Sequence, residues 1–249
     1  MDYSSLIDRN HHIIPEDLQK KIKETKLLFI GCGLGSQTAV LAARTGFVNF
    51  TLCDGDTVEL SNLNRQQFFA DDIGINKAEA VKKHILGVNP DCQITVINKF
   101  IKDTEEANKL VSDADIIFNM SDPDEIFYDI NDMAQDQNKL ALCPLDLGYD
   151  SYVLAFDKSS PKIEEIIGGR IHGNQAFLSL IMKTKGELPV EVAGLVADLA
   201  KFDKNEITAP QLGTTVYITS ALMINACIMR LHGKSIPLAP NFICLREVQ

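Results

Sequence analysis

The stretch Lys26–Gln66 most constrains what this chain can fold into. An apolar run, Leu27–Ile30, enters a glycine cluster, Gly31-Cys32-Gly33-Leu34-Gly35. A helical pattern follows from Ser36 to about Thr45, and a second apolar run, Val48–Cys53, ends on Asp54. Strand, glycine turn, helix, strand and acid is the order of a nucleotide-binding βαβ unit. Glycine lets a backbone turn sharply and approach a ligand closely, because no Cβ is in the way. The helix after the turn points free N–H groups and the positive end of its dipole at that turn, which suits a phosphate. Asp54 falls about 20 residues beyond the glycines, where an acid commonly accepts from ribose hydroxyls. The pattern is irregular, since the third glycine of G-x-G-x-x-G would fall on Ser36. For the glycines taken alone, a tight βα turn without a ligand remains the alternative.

The rest of the chain continues the alternation. Pro15-Glu16-Asp17-Leu18 reads as a helix start running to about Glu24, after a flexible-looking arm that carries Arg9. Helices are expected over Lys77–Val88, Asp103–Ser112 and Asp124–Gln135. Strands are expected over Gln93–Asn98, Asp115–Met120, Leu140–Pro144 and Ser151–Asp157. This order predicts a parallel, doubly wound sheet whose ligands sit beyond the carboxyl ends of the strands. Gly31, Asp54 and Asp122 all fall at such ends. Composition then shifts: Lys158–Pro210 has no sustained period, and Pro189–Lys201 is a candidate helix within a long crossover segment. Gly213–Leu231 reads as an apolar helix with Ile218, Leu222, Ile224, Ile228 and Leu231 on overlapping faces, and Asn241–Arg246 as a last strand.

At 249 residues, 45% of them hydrophobic, the chain fits one large α/β domain over 1–249. Its expected division is a nucleotide-binding half, 1–150, and a crossover and substrate half, 151–249. A net charge of −10 disfavours broad contact with nucleic acid or an anionic membrane. No signal peptide is indicated, and no apolar run reads as approaching bilayer-spanning length. The six cysteines are widely spaced and several lie in apolar runs, so they read as small buried hydrophobes rather than disulfides. Cys143, beside Pro144, is read as core packing. A reducing, cytoplasmic setting is the default expectation.

The end of the opening stretch is more specific. Asp54-Gly55-Asp56-Thr57-Val58-Glu59-Leu60-Ser61-Asn62-Leu63-Asn64-Arg65-Gln66 resembles the D-x-D-x-V-x-x-S-N-L-x-R-Q signature of the E1-like adenylating enzymes, the ThiF/MoeB/HesA superfamily. Gly74-Ile75-Asn76-Lys77 resembles its G-x-x-K, Ser121-Asp122 its metal-binding aspartate, and Asp8-Arg9-Asn10 its N-terminal arginine. The resemblance covers about Leu6–Asp157 and little of the remainder. It implies a Rossmann-like, mostly parallel sheet with a C-terminal crossover segment and antiparallel strands. It also implies adenylation of a carboxylate by ATP with Mg²⁺, on the C-terminus of a ubiquitin-like or sulfur-carrier protein or a peptide, by a homodimer.

By that resemblance Gly31, Gly33 and Gly35 pass close to the nucleotide and Asp54 holds the ribose. Arg65 and Lys77 neutralise phosphate, Asn62 and Gln66 orient the phosphates and the loop, and Asp122 holds Mg²⁺. Asp56 either joins them or only shapes the loop. Arg9 contacts phosphate, often from a neighbouring subunit. In an acidic chain the cations must be concentrated locally, and Arg9, Arg44, Arg65 and Lys77 are the candidates. A C-terminal α-carboxyl, with a pKa of about 3.5, is already an anion at neutral pH, so adenylation needs no general base. Two departures stand out. No C-x-x-C is present, so zinc is not expected, and no cysteine lies between Cys143 and Cys227 to form a thioester. Alternatives are a small-molecule or tRNA-nucleoside carboxylate as substrate, a non-catalytic partner subunit, or an NAD-dependent oxidoreductase. The last would leave Arg65, Lys77 and Asp122 without a role.

Overall fold

The computed structural model describes residues 2–186, 196–198, 201–202, 206 and 210–244. Seven strands form one sheet: β1 Lys26–Ile30, β2 Asn49–Cys53, β3 Gln93–Ile97, β4 Ile116–Asn119, β5 Leu140–Leu147, β6 Asp150–Phe156 and β7 Phe242–Cys244. Their order is β3-β2-β1-β4-β5-β6-β7. The first five are parallel, β6 pairs antiparallel with β5, and β7 pairs antiparallel with β6. The parallel part is the doubly wound sheet that the element order predicts, and the antiparallel strands are those that the family resemblance implies. Strands β1 and β4 are apolar almost throughout because both of their faces are covered.

Helices cover both faces. On one lie α2 Glu16–Glu24, α3 Gly35–Thr45, α4 Lys77–Val88 and Gly213–Leu231. They contribute Leu18 and Ile22, Ala39 and Ala42, Val81 and Ile85, and Met223 and Cys227 to one core. The other face carries α5 Thr104–Asp113, α6 Glu125–Asp136, α7 Ile163–Ile167 and α8 Asn174–Lys185. Val111, Ile130, Ile163 and Leu180 represent those four in the second core. A short helix α1, Tyr3–Leu6, precedes them, and the Gly213–Leu231 helix is α9 in this numbering.

Four sequence expectations need correction. The arm before Pro15 is tied down: Asn10 Nδ2 donates to Gln19 Oε1 and the Thr45 carbonyl, and the Tyr3 hydroxyl donates to the Gly46 carbonyl. Helix α8 is long, where no period was legible. Its Ala176, Leu180 and Ile181 face the core while Phe177 and Leu178 line a cavity, and two apolar faces blur one period. Helix α9 buries Thr215, Thr219 and Ser220 beside Met223 and Ile224, whereas Ile218, Leu222, Ile228 and Leu231 are only half-buried. Finally, α9 has 19 residues and is long and apolar enough, by length and composition, to cross a membrane. Here it packs on the sheet, with Thr38 Oγ1 donating to Ser220 Oγ. The candidate helix over Pro189–Lys201 lies almost wholly outside the described residues.

Candidate active site

Parallel register brings the ends of β1, β2 and β4 side by side, with Ile30 opposite Cys53 and Asn119. The residues that follow, Gly31, Asp54 and Met120, therefore share one edge of the sheet. A cavity of about 950 Å³ opens there, in the crevice where the strand order reverses. Its walls include Gly31 and Gly33, Asp54 and Asp56, Arg65 and Gln66, Lys77 and Asp122. Gly35, Asn62, Arg9 and Arg44 are not among the residues lining it.

The glycine turn is shaped first by the protein itself. Gly31 has φ +94°, and a Cβ there would lie 2.6 Å from the Met120 carbonyl oxygen. A Cβ at Gly35 would come within 2.9 Å of Met120 Cε. These two glycines let the turn pass β4. Gly33 is the one on the cavity whose added Cβ would meet only a side chain, Gln66 Nε2 at 3.0 Å.

Asp54 is buried at the end of β2. Its Oδ2 accepts the Cys32 N–H at 2.7 Å and its Oδ1 accepts the Asp56 N–H at 2.8 Å. Burial pushes its pKa up, against the pull of those two N–H groups and of Lys77. A carboxylate has about four acceptor sites, so capacity for two ribose hydroxyls remains. Asn76, the N-cap of α4, donates to the Asp54 carbonyl and holds the signature loop against the helix. Lys77 then starts α4 with Nζ 2.9 Å from Asp56 Oδ2, so in the free protein Asp56 balances its charge. Asn62 accepts the Glu59 N–H at 3.0 Å, so it shapes the loop from behind.

Arg65 is fixed by neutral groups. Nε donates to Gln211 Oε1 at 2.6 Å, and Nη1 to the Ser61 carbonyl at 3.0 Å and Asn64 Oδ1 at 2.9 Å. Among the described residues no carboxylate pairs with it, so its charge is available to an anion in the cavity. A Cβ on Gly213 would sit 2.7 Å from the Asn64 carbonyl, so the chain leading into α9 closes tightly over this loop. Gln66 lines the cavity, and its Oε1 is buried with no partner among the described residues.

These donors and acceptors fit a nucleotide polyphosphate. Mg²⁺ fits more narrowly. It commonly takes one or two protein carboxylates plus substrate phosphates rather than an all-protein cage. Among the described residues no three His, Cys, Asp or Glu side chains converge on one point. Asp122 on the cavity wall is a donor of the right kind.

Arg9 lies in a 3-10 turn, Asp8–Asn10, tied beside the C-terminal end of α3. Arg44 is in the last turn of that helix, about 15 Å from the glycine turn at 1.5 Å per residue. Neither joins the cavity of its own chain. Cys143 is buried, donates to Asn131 Oδ1 at 3.2 Å and has its pKa pushed up to about 12, so it is a packed thiol. All six cysteines are free thiols, and five of them are buried. Sequence reasoning passed over Lys99, Phe100 and Lys102, which line the cavity from the β3–α5 loop, Gln211 from the crossover, and Asp146 on β5. Lys99 and Lys102 flanking an aromatic just past a strand end was the one available signal.

The mostly parallel sheet, the crevice at its switch point and the paired acids and cations define a nucleotide-binding α/β protein. The ThiF family model matches residues 7–248, and the chain belongs to the ThiF family. It is 29% identical over 161 residues to the probable molybdopterin-synthase adenylyltransferase of Porphyra purpurea, covering 62% of this chain and 42% of that protein. It is 35% identical over 108 residues to the molybdopterin-synthase adenylyltransferase of Escherichia coli, 43% of each chain. The sulfur carrier protein ThiS adenylyltransferase of Bacillus subtilis is 34% identical over 120 residues, 47% of this chain and 35% of that protein. The chain thus spans less than half the length of these curated relatives. In fold it resembles E. coli MccB, crystallised with ATP, with a TM-score of 0.69 at 21% identity over 93% of this chain and 64% of that one. PaaA is similar, with a TM-score of 0.68 at 21% identity over 99% of this chain and 77% of that one.

Proposed function

We propose that this chain adenylates the C-terminal carboxylate of a small carrier protein or peptide. The carboxylate oxygen attacks the α-phosphorus of ATP, the bond to the bridging oxygen breaks, and pyrophosphate leaves with that electron pair. The observation that carries this reading is the meeting of Asp54, Arg65, Lys77 and Asp122 on one cavity at the carboxyl ends of β1, β2 and β4. The names of the curated relatives, adenylyltransferases for ThiS and for molybdopterin synthase, support the substrate class.

Because the nucleophile is already ionised, catalysis here is positioning and charge neutralisation. Asp54 accepts from the ribose hydroxyls and fixes the nucleotide's register. Arg65 offers a planar fork to phosphate oxygens, and Lys77 exchanges Asp56 for phosphate. Gln66 orients the loop. Asp122 would hold Mg²⁺, which when bound neutralises charge on the departing pyrophosphate. The half 1–150 carries the nucleotide, and 151–249 together with the end of β5 takes the acyl substrate. Arg9, tied at the far end of α3, serves the cavity of a second copy in a homodimer. With no cysteine between Cys143 and Cys227, the acyl-adenylate passes to a separate sulfur donor or amine rather than to a thioester on this chain. The setting is cytoplasmic.

Pyrophosphate exchange into ATP tests the reading. Exchange that depends on both Mg²⁺ and an added carboxylate is expected. NAD reduction in its place, or no heat on titrating nucleotide and metal, would overturn it.

A further inference from the structure

The nucleotide roles leave two acids of the cavity unused, Asp124 and Asp146, and Asp124 is taken up in capping α6 through the Phe127 N–H. Asp146 lies near the end of β5 and lines the cavity. Strand β5 is three places from β2 in the sheet order. At about 4.8 Å per strand that is about 14 Å from Asp54. With the ribose at Asp54 and the phosphates at the turn after β1, the β5 end of the cavity falls to the acyl substrate. Phe177 and Leu178 of α8 and Phe202 line the cavity as well, an apolar wall for a chain rather than for phosphate.

The hydrogen bonding of Asp146 is incomplete. Oδ1 meets the Thr219 hydroxyl of α9, while Oδ2 is shut off from water and has no partner among the described residues. Thr219 Oγ1 is also 2.9 Å from the Thr215 carbonyl one turn back. One hydroxyl proton cannot serve both acceptors. The ionised carboxylate accepts that proton from Thr219; once protonated, Asp146 can itself donate to the Thr219 oxygen and leave the threonine proton to the carbonyl four residues back. Burial pushes the Asp146 pKa up to about 7, so a large share of the group carries its proton at neutral pH. Oδ2 is then a carbonyl-like acceptor with nothing to accept, a costly state for a buried group.

We propose that Asp146 is a specificity-determining residue of the acyl subsite, whose Oδ2 accepts a backbone N–H of a peptide-like substrate beside the carboxylate to be activated. The last torsion of an aspartate is broad, so Oδ2 can turn toward the cavity at the cost of loosening the Oδ1 contact with Thr219. An amide N–H suits the protonated acid, because neither partner then brings a charge to the buried end of the side chain. The inference rests on the adenylation reading.

Two synthetic octapeptides serve as probes. One ends in Gly-Gly, and in the other the last amide N–H is replaced by an ester oxygen. Pyrophosphate exchange is measured with each for the wild type, Asp146→Leu and Asp146→Asn, with Asp146→Ala standing in if the leucine variant does not fold. The wild type is expected to prefer the amide by about tenfold or more in kcat/KM. Asp146→Leu, lacking an acceptor, should bring the ratio to within about twofold, and Asp146→Asn, which keeps a carbonyl oxygen, should retain it. A purely structural acid would lower exchange with both probes alike and leave the ratio intact. That result, or equal use of both probes by the wild type, overturns the proposal. So does exchange with neither peptide, and nucleotide calorimetry then separates two cases. Heat with ATP leaves the nucleotide site standing, and its absence fells the adenylation reading as well.

Discussion

Replacing Asp146 by asparagine should stabilise the protein, increasingly so as pH rises. The residue keeps some surface on the cavity while its carboxyl is enclosed between β5 and α9. Burial raises its pKa to about 7, the Thr219 hydroxyl offsets this in part, and no charged side chain figures among the causes. In the unfolded chain the same group titrates near 3.9. The folded-state pKa is the raised one, so between these values the folded protein holds a proton that the unfolded chain has released. Stability from this group is therefore complete below about pH 4 and is lost as pH climbs through about 7. Three pH units at about 1.4 kcal/mol each give a loss of about 4 kcal/mol. Asparagine has the same shape, donates an N–H to Thr219 and never ionises. The variant and the wild type should melt together near pH 4 and separate by about 8–16 °C near pH 8.5, at about 2–4 °C per kcal/mol for a chain of this size. Thermal unfolding over that range measures it. Parallel curves, or a wild type that gains stability relative to the variant as pH rises, would refute the neutral buried acid.

Asp122→Ala should reduce pyrophosphate exchange at least about a hundredfold while leaving the fold intact, since the loss is of charge neutralisation at phosphate; an active variant removes the metal assignment. Gly31→Ala should destabilise by more than about 2 kcal/mol, because a Cβ 2.6 Å from the Met120 carbonyl adds a clash to the cost of a positive φ. Gly33→Ala meets only the end of the Gln66 side chain and should unfold closer to wild type in the same denaturant titration. Mixing Arg9→Ala protein with Arg65→Ala protein should restore part of the exchange that each lacks, and no recovery would argue for a site built within one chain.

Which parts of this site were legible follows from how far apart the cooperating residues lie. Strand, glycine turn and helix over 26–45 are local, and their signals sit within a few residues of each other. Asp54 and Asp122 needed only the rule that loops after parallel strands share one edge, a rule that holds whatever the side chains are. Helix α9 shows where such reasoning stops. Its isoleucines and leucines promised the buried face, yet that face carries hydroxyls. Thr219 and Ser220 are satisfied there by the carbonyls four residues back, by Asp146 and by Thr38, none of which a helical period reveals. Asp146 was hidden for the matching reason: it sits in an apolar strand, and its partner is 73 residues away.

Arg170 makes the same point in charge. It pairs with Glu125, Asp129, Asp132 and Glu164, and it lies over the Tyr128 ring at 5.4 Å. Three of those acids belong to α6 and line one stripe of it, which in sequence reads as an ordinary solvated face. Their pairing fixes the start of the crossover segment, so that His172 and Gly173 reach the cavity wall. The proposed acyl end of the site is thus assembled from contacts between distant elements, Asp146 to α9 and Arg170 to α6, while most of the nucleotide end, Asp122 and the Gln211 contact of Arg65 aside, is built from one continuous stretch. A family signature can mark the second kind of site because its residues travel together along the chain. The first kind emerges only once the sheet order and the crossover are known, and that is where differences in substrate between related chains have room to arise.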